Sequence, residues 1–520
     1  MFERWLQKAQ GLGEGSRRWW SLFALVVSFS MIMIDQTVLP LALPTIQRQL
    51  GLSNVALQWT VNAYMLGVAA VVLAGGRLAD LVGRRPIFCI GIILFALASI
   101  SAALAQNGNW LIASRAWQGI AAALMGPAAV ALLIDIFPPG QRGKVMGIFI
   151  ASSALCLSLG PIIGGFFTNY LSWRYIFWLN VPLSGAAFFL TVACIKPSEP
   201  VEESVWEHFA TRSYLTFGLG VTFFVILFMQ APSWGWLSLP AALFSCLGLI
   251  TIYLFYRIDR VEENPAIDLS LFAVRTFLCA CVVIFALQLV LMVTVFWGLY
   301  FQNSLGYSPM QAGWITSISS IPIVLLPIFA GHISDRLGPR LPICLGLLLM
   351  TFCFLWFAGH KSATSYQPLI PALIAFGCGI GLINSPVTSA AMSTVPPAKR
   401  GVASGTSSAL RWLGGTAGVA ILGSILNRIQ FHTFESLLAS NPMTADLSPG
   451  VFEGLLSRKH GAASAISQLK AGAAKWVEGS LHDAFLTAFR VMNLAAAAIA
   501  FITFLLAYFW LRQKKQESIS

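Results

Sequence analysis

An acidic residue inside a long apolar run is expensive to keep and is therefore a candidate for chemistry. Asp35 is the only carboxylate that the hydropathy pattern places well inside such a run; Asp80, Asp135 and Asp335 fall at run ends. At the centre of a membrane helix an ionised Asp costs about 2.5–3.5 kcal/mol on insertion scales, so it needs a partner, a proton or a water-filled cavity. Arg115 is the candidate partner. Asp35 stands about five residues before the expected outer end of its run and Arg115 about five after the outer start of its own, which puts both about 8 Å below the outer rim. Burial favours the protonated acid and a neighbouring guanidinium the anion, so occupancy of the surrounding cavity can decide whether Asp35 holds a proton. Gln118, one turn beyond Arg115, can hydrogen-bond either group. The plainer alternative is a static ion pair that only fixes two helices.

Other residues have less specific chemistry. Arg411 is a cation within an apolar run, able to pair with a carbonyl, a carboxylate or an anionic substrate. Trp59, Tyr64, Trp297 and Trp314 supply aromatic surface for a substrate cavity, although interfacial anchoring and packing compete as explanations. Gly160, Pro161, Gly164 and Gly165 allow a close helix approach and a bend. His432, His460 and His482 are too irregularly spaced for a metal site. The nine cysteines lie in or beside apolar segments, as membrane-packed thiols do. No GxxxxGK[ST] loop is present, which disfavours an ATP-driven pump. No nucleophile or metal constellation suggests an enzyme.

The elements that must position these residues are membrane helices. The chain has 520 residues, 57% of them hydrophobic and 10% charged, against roughly 25% charged in soluble domains. Its net charge of +12 sits in short loops, as a topology signal and not a nucleic-acid surface. Apolar segments near 19–41, 56–75, 86–105, 110–134, 145–167, 174–195, 214–231, 237–256, 275–299, 308–330, 341–358, 367–391, 402–426 and 485–511 predict about fourteen spans. An even count puts both termini on one side. Assigning that side to the cytoplasm leaves only Arg48, Arg174 and Lys361 in short outer loops. The acidic residues Glu199, Glu202, Glu203 and Glu207 read as a solvated linker.

The chain also repeats itself at an offset of about 255 residues. Leu50, Gly51, Ser53 and Trp59 recur as Leu305, Gly306, Ser308 and Trp314; Gly76, Asp80, Gly83 and Arg85 recur as Gly331, Asp335, Gly338 and Arg340. The string SSAL at Ser152 returns at Ser407, and PPGQRGKVMG from Pro138 is answered by PPAKRGVASG from Pro396. Asp35 has no counterpart, its related position being Val290. Two related six-helix units follow, with the substrate site at their interface. The expected architecture is an all-α membrane protein: a cytoplasmic segment 1–18, a first bundle 19–196, a linker 197–270 with two inserted helices, a second bundle 271–511 with an outer loop 427–484, and a cytoplasmic tail 512–520.

The motifs resemble the major facilitator superfamily, and within it the 14-helix drug:proton antiporters, over essentially the whole chain. GRLADLVGRR from Gly76 resembles the superfamily's loop between helices 2 and 3, and RAWQG from Arg115 the RxxQG motif associated with proton coupling. GPIIGG from Gly160 resembles the exporters' GPxxGG stretch, with Cys156 where a further glycine is expected. Trp173 to Phe177 and Asn180-Val181-Pro182 also match that branch.

The resemblance implies a bacterial inner-membrane transporter that exports small lipophilic, cationic or neutral compounds in exchange for protons by alternating access. The proton gradient would supply the energy, with no cofactor. Asp35, Arg115 and Gln118 would carry the coupling. Gly76, Asp80, Gly83, Arg84, Arg85 and Asp335 would form conformational latches, with Arg142 as a candidate ion partner, and the Gly160–Gly165 stretch a moving bend. Partners would be the substrate, protons and the bilayer, with a periplasmic adaptor as an option. The alternatives are a carrier for one metabolite or the inner-membrane subunit of a multicomponent exporter.

Overall fold

The computed structural model describes residues 13–196, 210–262, 265–360, 365–396, 399–439 and 471–511. The acidic linker residues Glu199 to Glu207, Lys361, His460 and both extreme termini lie outside the described residues. Fourteen helices are long and apolar enough to cross a bilayer, the number expected, and no strand occurs among the described residues. The first half contributes α1 (Glu14–Leu50), α2 (Asn54–Val82), α3 (Arg84–Ala103), α4 (Gly108–Ile136), α5 (Pro139–Tyr170) and α6 (Arg174–Cys194). The inserted pair is α7 (Thr211–Trp234) and α8 (Leu239–Asp259). The second half contributes α9 (Arg275–Ser304), α10 (Pro309–Ser317 and Ser320–Leu337), α11 (Arg340–Gly359), α12 (Ile370–Ser393), α13 (Arg400–Ala439) and α14 (Ala471–Trp510).

The repeated residues do the same backbone work in both halves. Ser53 accepts a hydrogen bond from the Ala56 amide at the start of α2, and Ser308 closes a capping box with Gln311 at the start of α10. Gly83 and Gly338, with φ of 111° and 85°, make the sharp breaks between α2 and α3 and between α10 and α11. A side chain would be strained at those angles.

Several helices are longer than their apolar runs, α1, α13 and α14 most of all. α1 continues from the expected limit near 41 to Leu50, with Pro40 and Pro44 inside it. α13 runs to Ala439 and α14 begins at Ala471, so the expected loop 427–484 is helical over 427–439 and 471–484, and 440–470 lie outside the described residues. The hydropathy signal stops where polar residues enter. The helix does not, because Phe434, Leu438 and Val477 still find buried faces.

The inserted pair flanks the seam between the halves. An added Cβ at Gly218 of α7 would lie 3.1 Å from the Ala70 carbonyl of α2, and Ser424 of α13 donates to the Phe228 carbonyl of α7 at 2.7 Å. α8 lies outside this contact, with Leu239, Leu249 and Tyr253 exposed.

Candidate functional site

Asp35 and Arg115 meet. Arg115 Nη1 donates to Asp35 Oδ2 at 2.5 Å, and each side chain is 1% exposed. Helix ends placed the two at equal depth in the sequence. The longer α1 instead sets Asp35 about four turns before that helix's C-terminal end, and contact follows from how α1 lies against α4. The guanidinium is further held by Gln118 Oε1 at 2.8 Å and, through Nε, by the Thr60 carbonyl of α2 at 3.1 Å. The Tyr64 ring lies over it at 4.5 Å. Gln118 Nε2 donates to Ser99 Oγ at 2.8 Å, as does Asn180 Nδ2 at 3.3 Å, so α1, α2, α3, α4 and α6 all contribute.

Among the described residues one carboxylate oxygen, Asp35 Oδ1, has no hydrogen-bond partner, and neither has the Tyr64 hydroxyl. A buried carboxylate oxygen without a donor bears an uncompensated desolvation cost. Tyr64, expected to line a substrate cavity, is buried here and packs edge-on against Trp412 of α13, with ring centroids 6.1 Å apart. It joins the first half's buried charges to the second half.

The glycines of α5 serve close approach. A Cβ at Gly160 or Gly164 would collide with Thr37 or with the Val38 carbonyl of α1. Pro161 cannot donate to the Leu157 carbonyl one turn back, and Thr37 Oγ1 supplies that bond across the helix pair at 2.9 Å. Sequence reading passed over Thr37, whose only signal is its place two residues after Asp35. Gly165 faces the other half: a Cβ there would lie 2.6 Å from the Pro309 carbonyl, and one at Gly313 2.5 Å from the Pro161 carbonyl. Gln302 of α9 donates to the Leu41 carbonyl at 2.8 Å, and Gln58 of α2 to the Gly423 carbonyl of α13 at 3.3 Å. These inter-half contacts all lie toward the end expected to face outward.

At the opposite end Arg84 bridges Asp80, at 3.3 Å, and Asp135, at 2.5 Å. This ties α2, α3 and α4 of one half to each other. Asp80 takes Arg84 as its partner and not the expected Arg142, whose Nε donates to the Phe137 carbonyl at 3.1 Å. Arg85 Nη2 donates to the Val192 carbonyl of α6 at 2.9 Å. Gly76 is not tightly packed, since an added Cβ would meet only Pro127, at ordinary contact distance. Asp335 sits near the end of α10, three residues before Gly338.

The remaining cavity candidates separate. Trp297 is fully buried inside the second half, stacked on Phe357 at 5.3 Å and tilted against Phe376 at 4.9 Å, so it is a core residue. Trp314 is 56% exposed on the surface of the helical body, where an interfacial anchor belongs. Trp59 packs half-buried against the core. Arg411 Nη1 donates to Asn384 Oδ1 of α12 at 2.9 Å. No group of His, Cys, Asp and Glu able to hold a metal ion occurs among the described residues.

Two helical halves built on a repeat, joined along a seam and carrying a buried ion pair, define a polytopic membrane transporter. The family model described as Major Facilitator Superfamily matches residues 25–419 and 276–520, and the chain belongs to that superfamily. It is 33% identical to Multidrug resistance protein Stp of Mycobacterium tuberculosis (strain CDC 1551 / Oshkosh) over 416 residues, covering 78% of this chain and 75% of Stp. Puromycin resistance protein pur8 of Streptomyces alboniger is 31% identical, over 81% of this chain and 84% of its own. The fold resembles that of a bacterial homologue of the human lysosomal transporter Spinster, solved inward-facing and unoccupied, with a TM-score of 0.62, 15% identity and coverage of 95% and 98%.

Proposed function

We propose that the protein is a proton-coupled exporter of small lipophilic compounds that works by alternating access. The observation that carries this reading is the sealed Asp35–Arg115 pair with one carboxylate oxygen unpartnered. Its covering ring, Tyr64, touches the opposite half. Protonation of Asp35 cancels the attraction that holds Arg115. Leaving one member of a buried pair uncompensated costs about 3–5 kcal/mol, enough to bias the apposition of the halves through Tyr64 and Trp412. The resistance proteins among the relatives support the export direction.

The test is substrate-induced proton release from detergent-purified protein. Wild type is expected to release protons and Asp35→Asn to release none, while Asp35→Glu, which keeps the acid, retains part of the signal. Equal release from wild type and Asp35→Asn would place the proton elsewhere and leave Asp35 a structural role.

A further inference from the structure

Arg115 has Asp35, but the other arginine of the membrane interior has no carboxylate. Among the described residues the one partner of the Arg411 guanidinium is the Asn384 amide oxygen at 2.9 Å, which leaves most of its five N–H donors uncommitted. A cation inside a span is as costly as an anion there, and Asn384 offers no charge to offset it.

Its position is at the seam. Trp412, the next residue, meets Tyr64 of the first half. One turn further, a Cβ at Gly415 would lie 3.2 Å from Met65 Sδ of α2 and 3.7 Å from Gln288 Nε2 of α9. This stretch of α13 therefore lies against the first half, with the Gln288 and Asn384 amides and the half-buried Trp412 beside it. Arg411 itself is only half-buried. Among the described residues the span interiors of the first half offer no opposing acid, because Asp35 is 1% exposed and spent on Arg115. The fixed charge presented at the seam is positive.

We propose that Arg411 is the recognition residue of a substrate site for anionic or carbonyl-rich aromatic compounds, with Asn384 positioning its guanidinium. The planar fork binds a carboxylate, sulfonate or paired carbonyl in two parallel hydrogen bonds, and the half-buried Trp412 next to it takes the aromatic body. This rests on the export reading and replaces the cationic preference that a lone intramembrane acid suggests. The acid is occupied; the arginine is not.

The test uses fluorescein and rhodamine 123, which share a xanthene ring and differ in charge, in equilibrium dialysis against purified full-length protein. Wild type is expected to hold fluorescein more tightly than rhodamine 123. Arg411→Gln should weaken fluorescein binding about tenfold or more, the cost of a charge-assisted hydrogen bond, and leave rhodamine 123 unchanged or tighter. Arg411→Lys, a charge without the fork, should fall between. If Arg411→Gln does not fold, Arg411→Lys and Asn384→Ala decide, because both should narrow the preference for fluorescein. Wild type that holds fluorescein no better than rhodamine 123 or than the variants, including no binding of either dye, overturns the proposal. Reconstituted Asp35→Asn separates the two readings. Fluorescein binding that depends on Arg411, beside transport indifferent to Asp35 and to a pH gradient, keeps this site and removes proton coupling. The opposite pattern keeps the coupling and removes the site.

Discussion

The pairing of Asp35 with Arg115 was legible at the residue scale because isolated charges in apolar runs have few ways to be satisfied. What surrounds the pair was not: Thr60, Ser99 and Asn180 are ordinary polar residues in a sequence, and only packing brings Thr60 to the guanidinium and Ser99, with Asn180, to Gln118. Tyr64 shows the limit most clearly, since an aromatic at helical spacing can face a substrate, lipid or a buried cation with equal plausibility. Its contact with Arg115 carries a prediction. Tyr64→Phe keeps the ring and loses only a hydroxyl that has no partner, so gradient-driven efflux should stay near wild type. Tyr64→Leu keeps bulk but removes the face over Arg115, a cation–π contact worth about 0.5–2 kcal/mol. Its efflux should drop about tenfold while substrate-induced proton release survives, because Asp35 is intact. Loss of both signals together would mean that Tyr64 only supports the fold of the ion pair. Efflux and proton release measured on the same three proteins decide it.

For the helices, the repeat forecast more than the hydropathy did. Ser53 with Ser308 and Gly83 with Gly338 recur because each half must cap and break its helices at the same places, and a turn needs particular residues whatever surrounds it. Helix ends beyond the apolar run escaped, as at α13 and α14, because an amphipathic extension has no membrane signature. The contacts of α5 lead to a second prediction. Gly165→Val puts side-chain atoms where the Pro309 backbone lies, and overpacking costs about 1–3 kcal/mol. The closed state of that end should be disfavoured, with transport slowed and cysteine labelling near Pro309 increased; unchanged labelling would show that the contact is not part of closure. A third concerns the loop before α9. Burial raises the pKa of Asp268, but the hydrogen bonds and charge of Lys399 and Ser270 outweigh it and hold the value below the ordinary one. A carboxyl depressed in the folded state contributes its stability above the unfolded value, near 4, and loses it as pH falls through the folded value. Lys399→Ala should therefore cost about 0.2–1 kcal/mol at neutral pH, as for an exposed pair. The difference from wild type should vanish at acid pH in thermal-melt measurements; a difference that persists there would assign the effect to packing.

Across the whole molecule, the two ends of the bundle are held by different physics. One end joins the halves through close backbone approaches at Gly165 and Gly313 and the hydrogen bond from Gln302 to the Leu41 carbonyl. The other carries the half-exposed Arg84 bridging Asp80 and Asp135 within a single half. Backbone contacts of the first kind open only by moving whole helices, whereas partly exposed ion pairs of about 0–1 kcal/mol each can break in every cycle. Which end faces the cytoplasm decides what this asymmetry means. The charge count answers through Arg48 and Arg174, two of the few basic residues in short loops at the tightly joined end, against Arg77, Arg84, Arg85, Arg142 and Lys144 at the other. That distribution predicts an even number of spans with both termini in the cytoplasm and the tight end outside. Reporter fusions check it directly. A fusion within 440–470 should behave as external and one within 200–210 as internal, and both termini should report the cytoplasm. The reverse at either internal site would turn the bundle over. The ion pairs at Arg84 would then face outward, the backbone contacts would close the cytoplasmic side, and Asp35 would be reached by protons from the other face.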